Sequence, residues 1–308
     1  MVRIALLGDV HLALNKNSEF ERNRFLELIK TISIKKYDVV IFTGDLLDKA
    51  RPSLEELQLL QFSILNLNHL GVRTIVLDGN HEAVDKNSST YDYIKLEGLE
   101  YLPNDSLDYE GVTINILGYS NLIKYPLLKK SDILLSHFRS DFGIIKEEID
   151  VKAISKKADL VILGDIHQRY SPYENVHYTG SPYSIHFTSQ SHKYGYIELT
   201  IDSGSYKHEY VDLELPCKKI ISIAQDDLES ALTNTKDLLR IKIQGTSKEL
   251  ECLPKQDNVT YITSLTISEQ TTNIASTPMG MTDIVGSLVS YLGEPSREVL
   301  NNIYKEIT

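Results

Sequence analysis

The chain has 308 residues, 42% of them hydrophobic and 24% charged, which is enough apolar material for a packed core and excludes global disorder. A formal net charge of −11 argues against a protein that grips nucleic acid over its whole surface, although cations held at one site, or a basic partner, would reverse the sign locally. Cys217 and Cys252 are too few for a disulfide scaffold, and no apolar run is long enough to cross a membrane. A soluble protein of a reducing cytoplasm, with no membrane attachment, is expected.

Val2–Leu7 reads as a buried strand ended by Gly8. Phe20, Phe25, Leu28, Ile29 and Ile32 fall near helical spacing within Glu19–Lys36, and D-V-V-I-F-T at Asp38–Thr43 reads as the next strand. Pro52-Ser53 opens a second helix over Leu54–Leu70, and Val72–Leu77 is a third strand. This strand–helix alternation is the pattern of parallel pairing with right-handed crossovers. Later strands are expected at Gly111–Leu117, Asp132–Ser136, Asp159–Leu163, Val176–Thr179, Tyr194–Ile201 and Lys207–Leu213. The middle of the chain is therefore strand-rich. The fold class is α/β with α+β character: a two-layer β-sandwich flanked by helices suits it better than a plain doubly wound sheet.

A boundary falls near Pro216, dividing residues 1–212 from a compact α+β cap over 213–270. The cap pattern runs strand Lys218–Ile223, helix Asp226–Leu232, strand Leu238–Gln244, helix Ser247–Leu253 and strand Val259–Ile267. Within 271–308, Thr271–Pro278 reads as a linker, and Thr282–Leu292 and Ser296–Ile307 read as helices that each carry one apolar face.

Five short motifs run through the first half: G-D-V-H (Gly8–His11), G-D-L-L-D (Gly44–Asp48), G-N-H-E (Gly79–Glu82), S-H-F (Ser136–Phe138) and G-D-I-H (Gly164–His167). Asp9, Asp45 and Asn80 recur at intervals of one strand and one helix, so each sits just past the carboxyl end of a strand, where open α/β sheets bind ligands. Carboxylates, imidazoles and one amide gathered there suit a pair of divalent cations in phosphoester hydrolysis. Asp45, on the central strand of the first three, is the natural bridging ligand. Asp9 and His11 can face one ion, Asn80 offers a neutral oxygen to the other, and His137 with the Asp165/His167 pair closes both shells. Each motif alone is weak; the ordered set is specific.

That ordered set resembles the calcineurin-like metallophosphoesterase superfamily. Within it, the match is to SbcD-type DNA repair and recombination nucleases, including bacteriophage members. The resemblance covers residues 1–212 best and extends more loosely to the cap and the terminal helices. It implies that Asp9, His11 and His167 hold a first ion, that Asn80, His137 and Asp165 hold a second, and that Asp45 bridges. His81 matches the family histidine that contacts the scissile phosphate and assists the leaving group. Asp48 occupies a position that is often Asp in the bacterial branch and His elsewhere; it either orients His81 or the phosphate, or is a plain helix-entry carboxylate. The last motif departs from the usual G-H-x-H. If Asp165 ligates, its oxygen replaces an imidazole nitrogen, which favours Mn²⁺, or Mg²⁺, over Zn²⁺; the alternative is that it does not ligate and the second ion is held more weakly.

Activity and partners follow from the same resemblance. The chain would be a Mn²⁺-dependent DNA nuclease, an exonuclease on duplex ends and an endonuclease on single strands. It would act as the catalytic subunit of a complex with an SbcC-type coiled-coil ABC ATPase, docked through the C-terminal helices, and would pair as a homodimer. The compact length points to a phage member working in its host's cytoplasm. Arg139, two residues after His137, is placed to touch a backbone phosphate as a substrate-binding residue. Tyr170, Tyr173, Tyr178 and Tyr183 cluster near the last motifs, where their rings either stack on unpaired bases or pack against the sheet. The alternative is a phosphoprotein phosphatase or small phosphodiesterase of the same superfamily. Against it, the second motif continues K-A-R-P-S rather than the phosphatase arginine-glycine, and G-S-P-Y (Gly180–Tyr183) resembles a strand-end motif of the nuclease branch.

Overall fold

The computed structural model describes residues 1–14, 18–139, 149–233 and 235–265. It begins β1 (Val2–Leu7), α1 (Ser18–Lys35), β2 (Val39–Thr43), α2 (Leu54–His69) and β3 (Arg73–Leu77). The three strands pair in parallel, β1 with β2 and β2 with β3. Every residue of β2 is buried, as a parallel strand covered on both faces requires. A capping box starts α2: the Ser53 hydroxyl accepts from Glu56 N, and the Glu56 carboxylate accepts from Ser53 N.

A short hairpin, β4 (Ala83–Asp85) with β5 (Ser88–Ser89), precedes β6 (Leu99–Tyr101), β7 (Asn104–Tyr109) and β8 (Val112–Leu117). Then come β9 (Ser131–His137), α3 (Val151–Ile154), β10 (Ala158–Gly164), β11 (Tyr170–Tyr173), β12 (Val176–Tyr178), β13 (Gly195–Asp202) and β14 (Ser205–Asp212). They form two six-stranded sheets, ordered β14-β13-β1-β2-β3-β6 and β11-β12-β10-β9-β8-β7.

The period of two in β1 decides how the layers stack. Ile4 and Leu6 point inward and meet Ile114, Ile116, Ile133, Leu135 and Ile162 of the second sheet in one buried cluster. Ala5 and Leu7 point the other way and pack with Phe25 and Leu28 of α1 and Leu60 and Ile64 of α2. Each such fully buried aliphatic side chain contributes about 1.5–3 kcal/mol. The expected two-layer sandwich is present, but both long helices lie against the first sheet. The second sheet's outer residues, among them Leu134, Val161 and Leu163, are covered by Ile154 of α3 and by Leu122 and Tyr125 of a 3₁₀ segment, Tyr119–Leu127.

The chain continues as β15 (Lys218–Ser222), α4 (Leu228–Leu232), β16 (Leu238–Gly245), α5 (Ser247–Glu251) and β17 (Val259–Leu265). The three strands form an all-parallel sheet in the order β15-β16-β17. Its core is small: Leu228, Leu232, Leu239, Ile241 and Ile243. The expected helix at Asp226–Leu232 is shorter, a 3₁₀ turn at Gln225–Asp227 leading into α4. The linker and the two helices expected after residue 270 lie outside the described residues. Among the described residues no helix is long and apolar enough to cross a membrane.

Candidate metal centre

The loops that leave β1 and β2 stay paired beyond the strands. His11 N donates to Asp45 O (2.8 Å), Leu12 N to Leu46 O (2.9 Å) and Asp48 N to Leu12 O (3.2 Å). This irregular ladder turns side chains toward one point by using left-handed backbone: φ is 53° at Asp9, 48° at His11, 52° at Asp45 and 94° at Asp165. Such angles are uncommon outside glycine and mark functional strain when they cluster. Two glycines permit the close approach. A Cβ on Gly44 would lie 2.2 Å from His137 Nδ1, and one on Gly79 would lie 2.1 Å from Asp45 Oδ1.

The structure brings together all seven residues expected as ligands. Donor atoms of Asp9, His11 and His167 lie within 4.8 Å of one another, as do those of Asp9, Asp45 and His137. Asp45 Oδ2 sits between the two groups, 3.5 Å from His11 Nε2 and 3.4 Å from His137 Nε2. His11 Nε2 and His167 Nε2 face each other at 3.1 Å, so at most one of them carries a proton in that contact. The Asn80 amide reaches His137 Nε2 at 3.0 Å. Its oxygen faces acceptors only, as a cation ligand's would; turned about, its nitrogen would instead lie 3.1 Å from Asp165 Oδ1 and 3.2 Å from Asp45 Oδ2.

Other contacts orient the donors. His137 Nδ1 bonds to Thr43 O (2.9 Å), which leaves Nε2 to face the cluster. His11 Nδ1 is 3.2 Å from Asp48 Oδ1. Asp165 N donates to Asp9 Oδ1 (3.0 Å). Asp165 also receives both prongs of Arg139, Nε to Oδ2 (2.9 Å) and Nη2 to Oδ1 (3.0 Å). Arg139, expected at the substrate, is therefore the bidentate partner of one expected ligand.

The electrostatics are those of a crowded anionic hole. Burial, with the charge of Asp45 behind it, pushes the Asp9 carboxyl up to about 7 against the pull of His137 and His11. Asp45 is also desolvated, but His137 and His11 and the N–H of His81 outweigh that and hold its carboxyl well below the usual range. Burial opposes charge on His137, yet Asp45, Asp9 and Asp165 raise it far above an ordinary imidazole. Burial and the neighbouring imidazoles of His11 and His186 push His167 down to about 4.

Divalent cations fit this donor set. Asp9 Oδ2 is fully buried with no hydrogen-bond partner among the described residues, and three carboxylates converge with imidazole nitrogens and one amide. Oxygen and nitrogen donors without thiolate suit hard to borderline ions.

His81 lies at the rim, its side chain 38% exposed. Its Nδ1 donates to Asp48 O (2.6 Å), which frees Nε2, and its ring meets that of His11 edge-on with centroids 4.4 Å apart. The Asp48 carboxylate touches His11 and reaches only 4.0 Å from His81 Nδ1, so it is the backbone of Asp48 that holds His81. The adjoining cleft, about 390 Å³, is lined by Asp45, Asn80, His81, Arg139, Asp165 and His167 among others.

The sequence marks Glu82 only as the last letter of its motif, and assigns it no role. It is fully buried and accepts from Asp45 N (3.0 Å), Leu47 N (2.7 Å), Gly79 N (2.9 Å) and the Tyr91 hydroxyl (3.2 Å). One carboxylate thus ties the loop after β2 to the loop after β3. Of the four clustered tyrosines, Tyr178 and Tyr183 are buried and cannot stack on bases, whereas Tyr173 is exposed.

Residues 2–169 match the calcineurin-like phosphoesterase family. The chain is similar to the probable exonuclease subunit 1 of Escherichia phage T5, at 26% identity over 95% of this chain and 93% of the phage protein. It is similar to the DNA double-strand break repair protein Mre11 of Methanopyrus kandleri at 24% identity, over 69% of this chain and 57% of that protein. It is also similar to the D component of the SbcCD nuclease of Escherichia coli at 23% identity, over 74% of this chain and 72% of that protein.

Proposed function

We propose that this chain, which belongs to the calcineurin-like phosphoesterase family and is a metal-dependent phosphoesterase, is a nuclease that hydrolyses the phosphodiester bonds of DNA. The observation that carries the reading is Asp45 Oδ2, placed between His11 and His137 with His81 at its edge. The similarity to nuclease subunits over most of the chain favours DNA over a phosphoprotein.

Asp9, His11 and His167 would hold one cation and Asn80, His137 and Asp165 the other, with Asp45 shared. When bound, two divalent cations would activate water and neutralise the charge that builds on the phosphate. The chain's own groups do the rest. The hydrogen bond from His81 Nδ1 to Asp48 O fixes the ring so that Nε2 can deliver a proton to the leaving oxygen. Asp48, bonded to His11, orients that imidazole. Arg139 holds Asp165 in place and offers its remaining surface to the DNA backbone. Mn²⁺, or Mg²⁺, suits the oxygen-rich second site, with one imidazole against two in the first, better than Zn²⁺.

The proposal extends to the remaining assignments. Residues 1–212 are the nuclease domain, 213–270 a cap and 271–308 partner-binding helices. The partner is an SbcC-type coiled-coil ATPase, two nuclease subunits pair, and the complex cuts duplex ends exonucleolytically and single strands endonucleolytically in a cytoplasm.

The test is incubation of the full chain, with and without such an ATPase, with Mn²⁺ and end-labelled duplex DNA, alongside a phosphorylated peptide. Release of nucleotides that Asp45→Ala abolishes is the expected result. Turnover of the peptide alone would overturn it in favour of a phosphatase.

A further inference from the structure

Two charged side chains are buried, and a third is half-buried against them, outside the donor set of the cation cluster. Arg24 and Glu21 of α1 form an ion pair with 2% and 4% side-chain exposure, and Lys218 of β15 closes on Glu21 Oε1 at 2.7 Å. Burying such a triplet adds little stability, because desolvation consumes most of the attraction; its attested value is in specifying one arrangement. Two of its members, Arg24 and Lys218, reach residues 183–185. Arg24 Nη1 donates to Ser184 O (2.7 Å) and its guanidinium lies 4.0 Å from the centre of the Tyr183 ring. Lys218 Nζ donates to Ile185 O (2.9 Å) and Lys218 N to the Ser184 hydroxyl (2.5 Å). Further along, Thr188 forms a bridge with Lys219 beside β15.

The other side of this strap touches the cation cluster. The Tyr183 hydroxyl, fully buried, donates to Val10 O at 3.0 Å. That carbonyl belongs to the peptide joining Val10 to His11, between two residues in left-handed conformation. Holding it holds the peptide plane that aims His11. Ser181 N donates to His167 O (3.0 Å). The strap therefore grips the backbone of two members of one expected ligand set, His11 and His167, and among the described contacts grips none of Asn80, His137 or Asp165.

We infer that Tyr183 and Lys218 are positioning residues: the seating of the β15–β17 sheet on α1, fixed by Lys218 and the Glu21–Arg24 pair, sets the Asp9/His11/His167 cation site through the Tyr183 hydroxyl. This rests on reading the cluster as a two-cation centre. Hydrogen bonds to metal-ligand supports are typically worth 10- to 100-fold in affinity, and the lower end applies to a link through backbone.

The experiment titrates Mn²⁺ into the full chain, following the free-ion electron paramagnetic resonance signal to resolve two sites. Tyr183→Phe removes one hydroxyl and leaves the ring under Arg24. It should weaken one Mn²⁺ site by about tenfold and leave the other unchanged. Lys218→Met should weaken the same site. The double variant should match the single ones, because both changes break one link. Lys236→Met is the control. It removes an exposed ion pair, 3.3 Å, between Glu27 of α1 and Lys236 two residues ahead of β16, and should leave both sites intact. If Lys218→Met does not fold, Glu21→Gln, which keeps the volume, takes its place. Three results overturn the inference: wild-type affinity in Tyr183→Phe, weakening of both sites alike, or single effects that multiply in the double variant. Failure of the wild-type chain to bind Mn²⁺ at all would instead overturn the two-cation reading beneath it.

Discussion

The two halves of the cation cluster are held by different means. Asp9 and His11 sit on left-handed backbone past the end of β1, and their loop is propped from behind by Tyr183. His137 is the last residue of β9, its ring pinned to Thr43 O, and Asp165 is clamped by both prongs of Arg139. The first half depends on distant parts of the chain agreeing about a peptide plane. The second depends on side chains already locked where strands end. A site can thus be rigid on one side and sensitive to the rest of the fold on the other, although its donor types are nearly symmetric.

Asp45 belongs to both halves, so its loss should be the most severe. Asp45→Asn is expected to lower phosphodiester hydrolysis on the order of 10³-fold, about 4 kcal/mol of barrier, and to weaken both Mn²⁺ sites together. Retention of one tight site would mean that the halves do not share it. His81 belongs to neither half. His81→Ala should cut kcat by about 10²-fold while Mn²⁺ binding stays as in the wild type. Lost metal affinity would make His81 a ligand, which its closeness to His11 and Asp45 also allows.

Glu82 lies under the shared centre. Glu82→Gln sets an amide against three backbone N–H donors, and urea unfolding should report a loss of about 2 kcal/mol. An unchanged midpoint would show that the loops after β2 and β3 hold themselves. The smallest effect is expected from Asp165→His, confined to the second half. It should shift preference from Mn²⁺ toward Zn²⁺ by about tenfold without touching the first site. Unaltered preference would remove Asp165 from the ligand set.

Much of this was legible in the sequence for a physical reason. Buried parallel strands are short apolar runs, and turn residues at their ends mark the ligand edge, so β1, β2, β3, β9 and β10 and the residues that follow them could be placed. What escaped notice had no local signature. Asn104–Tyr109 is polar because β7 is an edge strand, paired among the described residues only with β8, and polar alternation there looks like loop. Glu21 and Arg24 look like surface charges on α1 because their partners, Ser184 and Lys218, are far along the chain. Periodicity reports which face of a helix is apolar. It cannot report that a distant lysine has made a charged position an interior one.

The left-handed turns at Asp9, His11 and Asp45, with Gly44 and Gly79 packed against the ligands, set a rule for mutational tolerance. In a library of variants, Gly44→Ala would keep every donor atom in the sequence and still push His137 aside. Survival at these positions would follow backbone shape as closely as chemistry. A catalogue of ligand residues alone would therefore undercount the ways in which this protein can be silenced.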